Sequence, residues 1–350
     1  MKEQKKSKSL EIVEKQRALV VEKIIEDMKS DGLHWSEPYI PSLSPHNPVS
    51  GTVYQGGNRF HLGFVGYMRG FTDNRWCTFN QIRDSGWHLK KGAKAALIEK
   101  WREFSIKEEN EKTGEKEVTG HYLRCVGYWN VFNASEIEGI PAPPVPEHVS
   151  DRTAAIAGDL ILSSRCPIVE SMRYQGSAGY APGSDRILIA PRETFLSDET
   201  FTRVLLHEMA HSTGHPSALN RGCNTDFGSP EYAQEELVAE LGSLFLSADL
   251  GIQNTDYEGE HYENHVSYLQ SWMHALEDDP SYLFKAAAKA DKAGTLIIGR
   301  YNDVLEKRRD RDVERAPEKV SLKGEVTAMK DAAKSHDEQA KAPEIAVSAR

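Results

Sequence analysis

The chain has 350 residues, 39% of them apolar, enough for a packed core in each of two domains. Its formal charge of -10 excludes a polyanion-binding surface spread over the whole molecule. The charge is uneven, however: residues 1–140 hold 21 Lys+Arg against 19 Asp+Glu, and the remainder hold 22 against 34, so any nucleic-acid surface is expected in the first part.

Residues 1–8 are polar. From about Leu10 to Met28 the apolar residues Leu10, Ile12, Val13, Leu19, Val20, Ile24 and Met28 recur at helical spacing. Residues 36–58, rich in Pro, Gly, Ser and Asn, read as an ordered loop region. Residues 95–132 alternate as strands, most clearly over Ala96–Ile98 and Tyr128–Phe132, with the charged stretch 107–117 as a hairpin tip. Pro141 to Pro146 places four prolines in six residues and reads as an extended spacer. It divides a first domain, 10–140, from a second, 151–307, with 141–150 as the linker. In the second domain we expect a helix near 151–164, a strand over Arg186–Ala190, a helix capped by Asp198, and another from Pro230 to Ala248. Residues 308–350 are charged and Ala-rich with few apolar anchors, and are expected to form a disordered tail. Cys77, Cys125, Cys166 and Cys223 contain no Cys-x-x-Cys pair. With no apolar signal core and no run long enough to span a bilayer, the chain reads as a cytoplasmic protein with free thiols and no membrane contact.

The chemistry concentrates in Leu205-Leu206-His207-Glu208-Met209-Ala210-His211. Residues i and i+4 share a helix face, so His207 and His211 can bind one ion, and Glu208 can act as general base on a water activated there. A catalytic zinc needs a third protein ligand and one open position. The extended pattern with a third histidine is absent, because position 217 is Ser217, and His215 lies past Gly214, where the helix is expected to end. A better third ligand is Glu236, in Glu235-Glu236-Leu237-Val238-Ala239-Glu240. There Ala239 permits close helix approach, and Glu240 on the same face can orient a ligand histidine. Glu235 points roughly a third of a turn away and is expected to be solvated. The expected cofactor is one Zn2+ per chain.

A second constellation lies at residues 59–102, with nine Lys+Arg against three Asp+Glu and aromatic rings interleaved. Cations for phosphates and rings for base stacking are what a single-strand binder needs. The candidates are Arg75, Trp76, Trp87, Lys90, Lys91 and Lys94. The same rings are also what a core contains, so composition leaves both readings open.

Together these residues resemble the ArdC-type antirestriction proteins of conjugative plasmids, whose N-terminal domain is shared with TraC-type primases. The resemblance is carried by Pro48 to Gly51, Tyr54 to Asn58, Arg75 to Gln81, Gly86, Lys90 to Lys94 and Val131 to Asn133. In the second domain it is carried by Ala178 to Tyr180, Asp185 to Ile187, Pro191, His207 to His211, Gly214 to Pro216, Leu219 to Arg221, Glu235 to Gly242 and Tyr268 to Trp272. It covers roughly residues 10–305, with the long charged stretch 103–120 as a departure. It implies an α+β fold in two domains: an α+β single-stranded-DNA-binding domain and a mostly helical zincin-like metallopeptidase domain. The function it implies is protection of incoming mobile-element DNA from restriction, with single-stranded DNA and an unidentified protein or peptide substrate as partners. Two alternatives remain open at this point. One is a DNA-binding accessory or primase-associated factor with a non-proteolytic zinc domain. The other is a zinc protease whose first domain binds protein.

Overall fold

The computed structural model describes residues 7–30, 44–109, 115–143, 152–175, 177–222, 229–252, 272–273 and 275–315. The expected N-terminal helix is α1 (Lys8–Ser30), which buries Val13, Val20, Val21 and Ile24 while Ile12 and Leu19 face solvent. A helix absent from the sequence reading follows, α2 (Gly56–Met68), buried around most of its circumference. Next come β1 (Trp76–Thr78) and α3 (Phe79–Asp84), whose start is closed by a reciprocal Thr78–Gln81 capping box. Then follow β2 (His88–Leu89), β3 (Ala96–Glu109), β4 (Lys116–Asn133) and β5 (Ile137–Glu138). The expected hairpin is the β3–β4 ribbon, and β1 extends it to an antiparallel sheet of order β1-β4-β3; β2 pairs with β5. Tyr54, Leu62, Val65, Trp76, Ala96 and Val131 form the core between α2 and this sheet.

The second half opens with α4 (Thr153–Ser163), followed by β6 (Ile168–Glu170), β7 (Ala178–Ala181) and β8 (Arg186–Ile189). These strands form a mixed sheet of order β6-β8-β7, with β6 parallel and β7 antiparallel to β8. Helix α5 (Asp198–Ser212) is capped one residue earlier than expected: the Ser197 hydroxyl accepts from the Thr200 amide, and Asp198 is the first helical residue. Helix α6 (Pro230–Leu250) starts at a Ser229 cap with proline in the first turn and ends at the left-handed Gly251. Helix α7 (Ser281–Arg315) carries the chain past the boundary expected at 307, so residues 308–315 are helical rather than disordered. Residues 316–350 of the expected tail and 144–150 of the linker lie outside the described residues. No helix among the described residues is long and apolar enough to cross a membrane.

The chain up to Asn302 packs as one compact unit, so the two domains are not separate bodies within it. Val20, Val21, Ile24, Phe60 and Phe64 from the first domain join Leu237, Val238, Leu241 and Phe245 of α6 and Leu283, Phe284 and Ala287 of α7 in a single apolar cluster. Beside this cluster lies the buried guanidinium of Arg59. It reaches Asp249 at 2.9 Å, Asp291 at 3.3 Å and the Phe245 carbonyl at 2.6 Å, and stacks on the Phe245 ring.

Candidate metal centre

Helix α5 brings His207 and His211 onto one face, one turn apart, with their Nε2 atoms 3.0 Å from each other. Helix α6 packs directly against it. At the crossing, a Cβ added to Gly242 would lie 3.0 Å from the Ala210 Cβ, so a glycine here lets the two helices approach. Ala239, expected to play that part, is fully buried nearby. The crossing sets the Glu236 carboxylate between the two rings, with one oxygen 3.5 Å from His207 Nε2 and the other 3.5 Å from His211 Nε2. One donor atom from each of His207, His211 and Glu236 falls within 4.8 Å of the others.

The outer nitrogens are held as well. Glu240 lies 3.4 Å from His207 Nδ1, the orienting position expected for it. Glu235 lies 3.6 Å from His211 Nδ1. This corrects the expectation that Glu235 is solvated: it is buried and clamped by Arg221, whose Nε and Nη2 donate to its two oxygens at 3.1 and 2.6 Å. Arg221 also donates to the Ala210 carbonyl and the Thr213 hydroxyl at the end of α5. Each ring therefore turns Nδ1 to a carboxylate and Nε2 inward, the arrangement in which outer carboxylates orient metal-ligating histidines.

Burial opposes charge on both rings, but the carboxylates outweigh it. The pKa of His207 is raised through Glu240 and Glu236, and that of His211 well above the ordinary value through Glu235 and Glu236. Glu236 is itself held far below the usual carboxylate range, against its burial, by hydrogen bonding to the two rings. Groups that share protons this closely are suited to share a cation instead. The residues fit a divalent ion on a further count. Glu208 is buried, and its Oε2 has no hydrogen-bond partner among the described residues, as expected of a base that waits for a water. His215, the nearby alternative ligand, is turned to the Ser217 hydroxyl at 2.8 Å.

The nucleic-acid candidates fare differently. Trp76 is 1% exposed and belongs to the core of the first domain, and Arg75 is buried in a salt bridge to Asp73 at 2.7 Å; neither is placed to meet a strand. Trp87 is half-buried against Cys77, Ile82 and Ile137. Lys90, Lys91 and Lys94 are exposed on the expected turn at Gly92, φ +89°, with Lys90 Nζ donating to the Ser135 carbonyl.

The metal assignment makes a direct prediction. Glu236→Ala should lose its divalent ion, whereas Glu240→Ala should keep it with an affinity lower by about 10–100-fold. Metal analysis after dialysis checks both, and full occupancy in Glu236→Ala with loss in Glu240→Ala would exchange their roles.

Residues 14–132 match the N-terminal domain of anti-restriction factor ArdC, and residues 159–289 match a zincin-like metallopeptidase family. Two Escherichia coli proteins, each named DNA primase TraC, are 32% and 30% identical to this chain over 80% of its length. The chain spans only 26% and 20% of their lengths. Uncharacterized protein y4eC of Sinorhizobium fredii is 27% identical, over 77% of this chain and 85% of its own. The metal-free crystal structure of the antirestriction protein ArdC from plasmid R388 is similar, with a TM-score of 0.62 and 29% identity over 82% of this chain and 98% of that one. Its Mn(II)-bound form has a TM-score of 0.62 and 28% identity over 81% and 97%. For this chain, the zincin-like match and the three donor atoms within 4.8 Å of one another fit a divalent ion.

Proposed function

We propose that this chain, in which a match to the ArdC N-terminal domain is followed by a match to a zincin-like metallopeptidase family, is an antirestriction protein of a mobile genetic element. In this reading the first domain binds single-stranded DNA and the second holds one zinc ion for peptide hydrolysis, both acting in the cytoplasm. The observation that carries the second half is the meeting of His207, His211 and Glu236 beside a buried Glu208 oxygen that has no partner among the described residues. Resemblance to ArdC and to TraC primases supports the first half.

Zinc at this site would supply Lewis acidity to a scissile carbonyl and to a water. The chain's own residues do the rest. Glu240 and Glu235 hold the ring Nδ1–H groups, which keeps each Nε2 as an inward-facing donor. Glu208 takes the proton from the attacking water and returns it to the departing amine. The base separates this reading from a purely structural zinc domain, which has no use for one.

The test is transfer of a plasmid encoding this chain into a restricting and a non-restricting recipient. Deleting the gene is expected to lower transfer into the restricting recipient alone; equal transfer into both would overturn the antirestriction reading. A Glu208→Gln plasmid run in parallel separates protection by proteolysis from protection by DNA binding.

A further inference from the structure

We propose that single-stranded DNA lies along one face of the β3–β4 ribbon, its phosphates met by Lys100, Arg102 and Arg124 and its bases stacked on Phe104, Tyr122 and Trp129. The proposal rests on the single-strand reading above and gives it a location.

The strand register builds this face. Ala96 pairs with Val131, and both are core. Side chains alternate along a strand, so Ile98, Lys100, Arg102, Phe104 and Ile106 share the face of Ala96. Their partners across the ribbon are Trp129, Gly127, Arg124, Tyr122 and Gly120. A bulge opposite Lys100 and Trp101 takes up Val126 and keeps the alternation in step. Past Ile98 the face leaves the core and opens to solvent: Trp129 is 45% exposed, Tyr122 46% and Ile106 42%.

On this stretch the register puts three cations and three rings on one side. The acids of the same stretch, Glu99 and Glu103, fall on the other. There Glu99 is paired with Arg17 of α1 at 2.8 Å. The acidic pair Glu108 and Glu117 comes only beyond a second bulge and bounds the strip at its outer end. From Ile98 to Ile106 the strip measures about 26 Å at 3.3 Å per residue.

Cations and rings also touch one another. Phe104 and Tyr122 stack with centroids 5.7 Å apart, and the Arg124 guanidinium lies 4.3 Å over Phe104. Lys100 Nζ sits 6.0 Å from the Trp129 ring. Trp129 lies across Gly127, where a Cβ would meet its ring at 3.2 Å. The exposed rings Tyr122 and Trp129, with the half-buried Phe104 beside Tyr122 and positive charge interleaved, suit a ligand that offers both phosphates and open base faces, which a single strand does and a duplex does not.

The experiment uses the full chain and fluorescein-labelled oligothymidylate, followed by anisotropy across a salt series. The Arg102→Gln/Arg124→Gln pair is expected to weaken binding at least about tenfold at low salt and to flatten the salt slope by about 1.4, at 0.7 per phosphate. Tyr122→Ala is expected to weaken it by roughly fivefold to a hundredfold with the slope unchanged. A wild-type chain that binds, with all these variants binding equally well, overturns the location and leaves the single-strand reading standing. A wild-type chain that does not bind overturns both. Photocrosslinking of the wild-type chain to a 5-bromouracil oligonucleotide guards against variants that misfold. Adducts are expected within 96–109 or 116–133, and adducts confined to the lysine turn at 88–95 overturn the proposal. So does competition by polyglutamate as strong as by oligothymidylate, which would assign the strip to an acidic protein.

Discussion

Arg59→Met is expected to destabilise the protein by about 3–5 kcal/mol, the usual cost of removing one partner from a buried ion pair. The residue comes from α2 of the first domain, yet its partners are Asp249 on α6 and Asp291 on α7. Methionine keeps the apolar stem against Phe245 and removes the charge together with the hydrogen bonds to the Phe245 carbonyl and the Ser44 hydroxyl. What remains is the Asp291 carboxylate, 12% exposed, with the Gly56 amide donating to it at 3.1 Å among the described residues. Burial already raises the Asp291 pKa, and Arg59 opposes that rise. Without Arg59 the pKa should climb further, and a raised carboxyl costs stability as pH rises through it. The deficit of the variant should therefore shrink as pH falls. Calorimetry should show a Tm lower by roughly 10 °C near neutral pH. A drop of less than about 2 °C would show that the buried cluster contributes little. Asp291→Asn in the same chain should recover part of the loss, since it removes the stranded charge. Because the two domains share this cluster and the adjoining apolar core, a fragment ending at residue 140 would bare Phe60 and Phe64. DNA binding is for that reason measured on the whole chain.

On the proposed hydrolytic reading, Glu208→Gln is expected to lower peptide cleavage by about 10²–10⁴-fold while leaving metal content and Tm unchanged. The amide matches the carboxylate in shape but cannot take a proton from water. The three donors brought together, His207, His211 and Glu236, are untouched by this change. Glu208 Oε2 has no partner among the described residues, so replacing the carboxylate with an amide breaks no hydrogen bond at that atom. Digestion of a denatured peptide library, read by mass spectrometry, measures the loss without a known substrate. Cleavage within tenfold of wild type would remove Glu208 from the role of base.

The metal half of this protein was readable in the linear sequence because its determinants are local. Spacing of four on a helix puts His207 beside His211, and the same spacing puts Glu240 beside Glu236, whatever the rest of the chain does. The β3–β4 hairpin was equally visible, since alternation over a long ribbon is a repeating signal. Other features required the tertiary structure. Helix α2 leaves no periodic signal in the sequence, because it is buried nearly all round and carries four glycines, so no polar face marks its period. Trp76 illustrates the limit of composition: a ring in a basic stretch has the same letter whether it stacks on a base or fills a core. Glu235 shows the same limit for charge. A helical wheel turns it about 100° from Glu236, toward apparent solvent. The crossing of α5 over α6 at Gly242 and Ala210 replaces that solvent with His211 and Arg221. Residue spacing within one helix thus determined which atoms can act together. Which carboxylate faces which ring, and which cations share a face with which aromatics, was decided by helix crossing and strand register, because these depend on residues far apart in the chain.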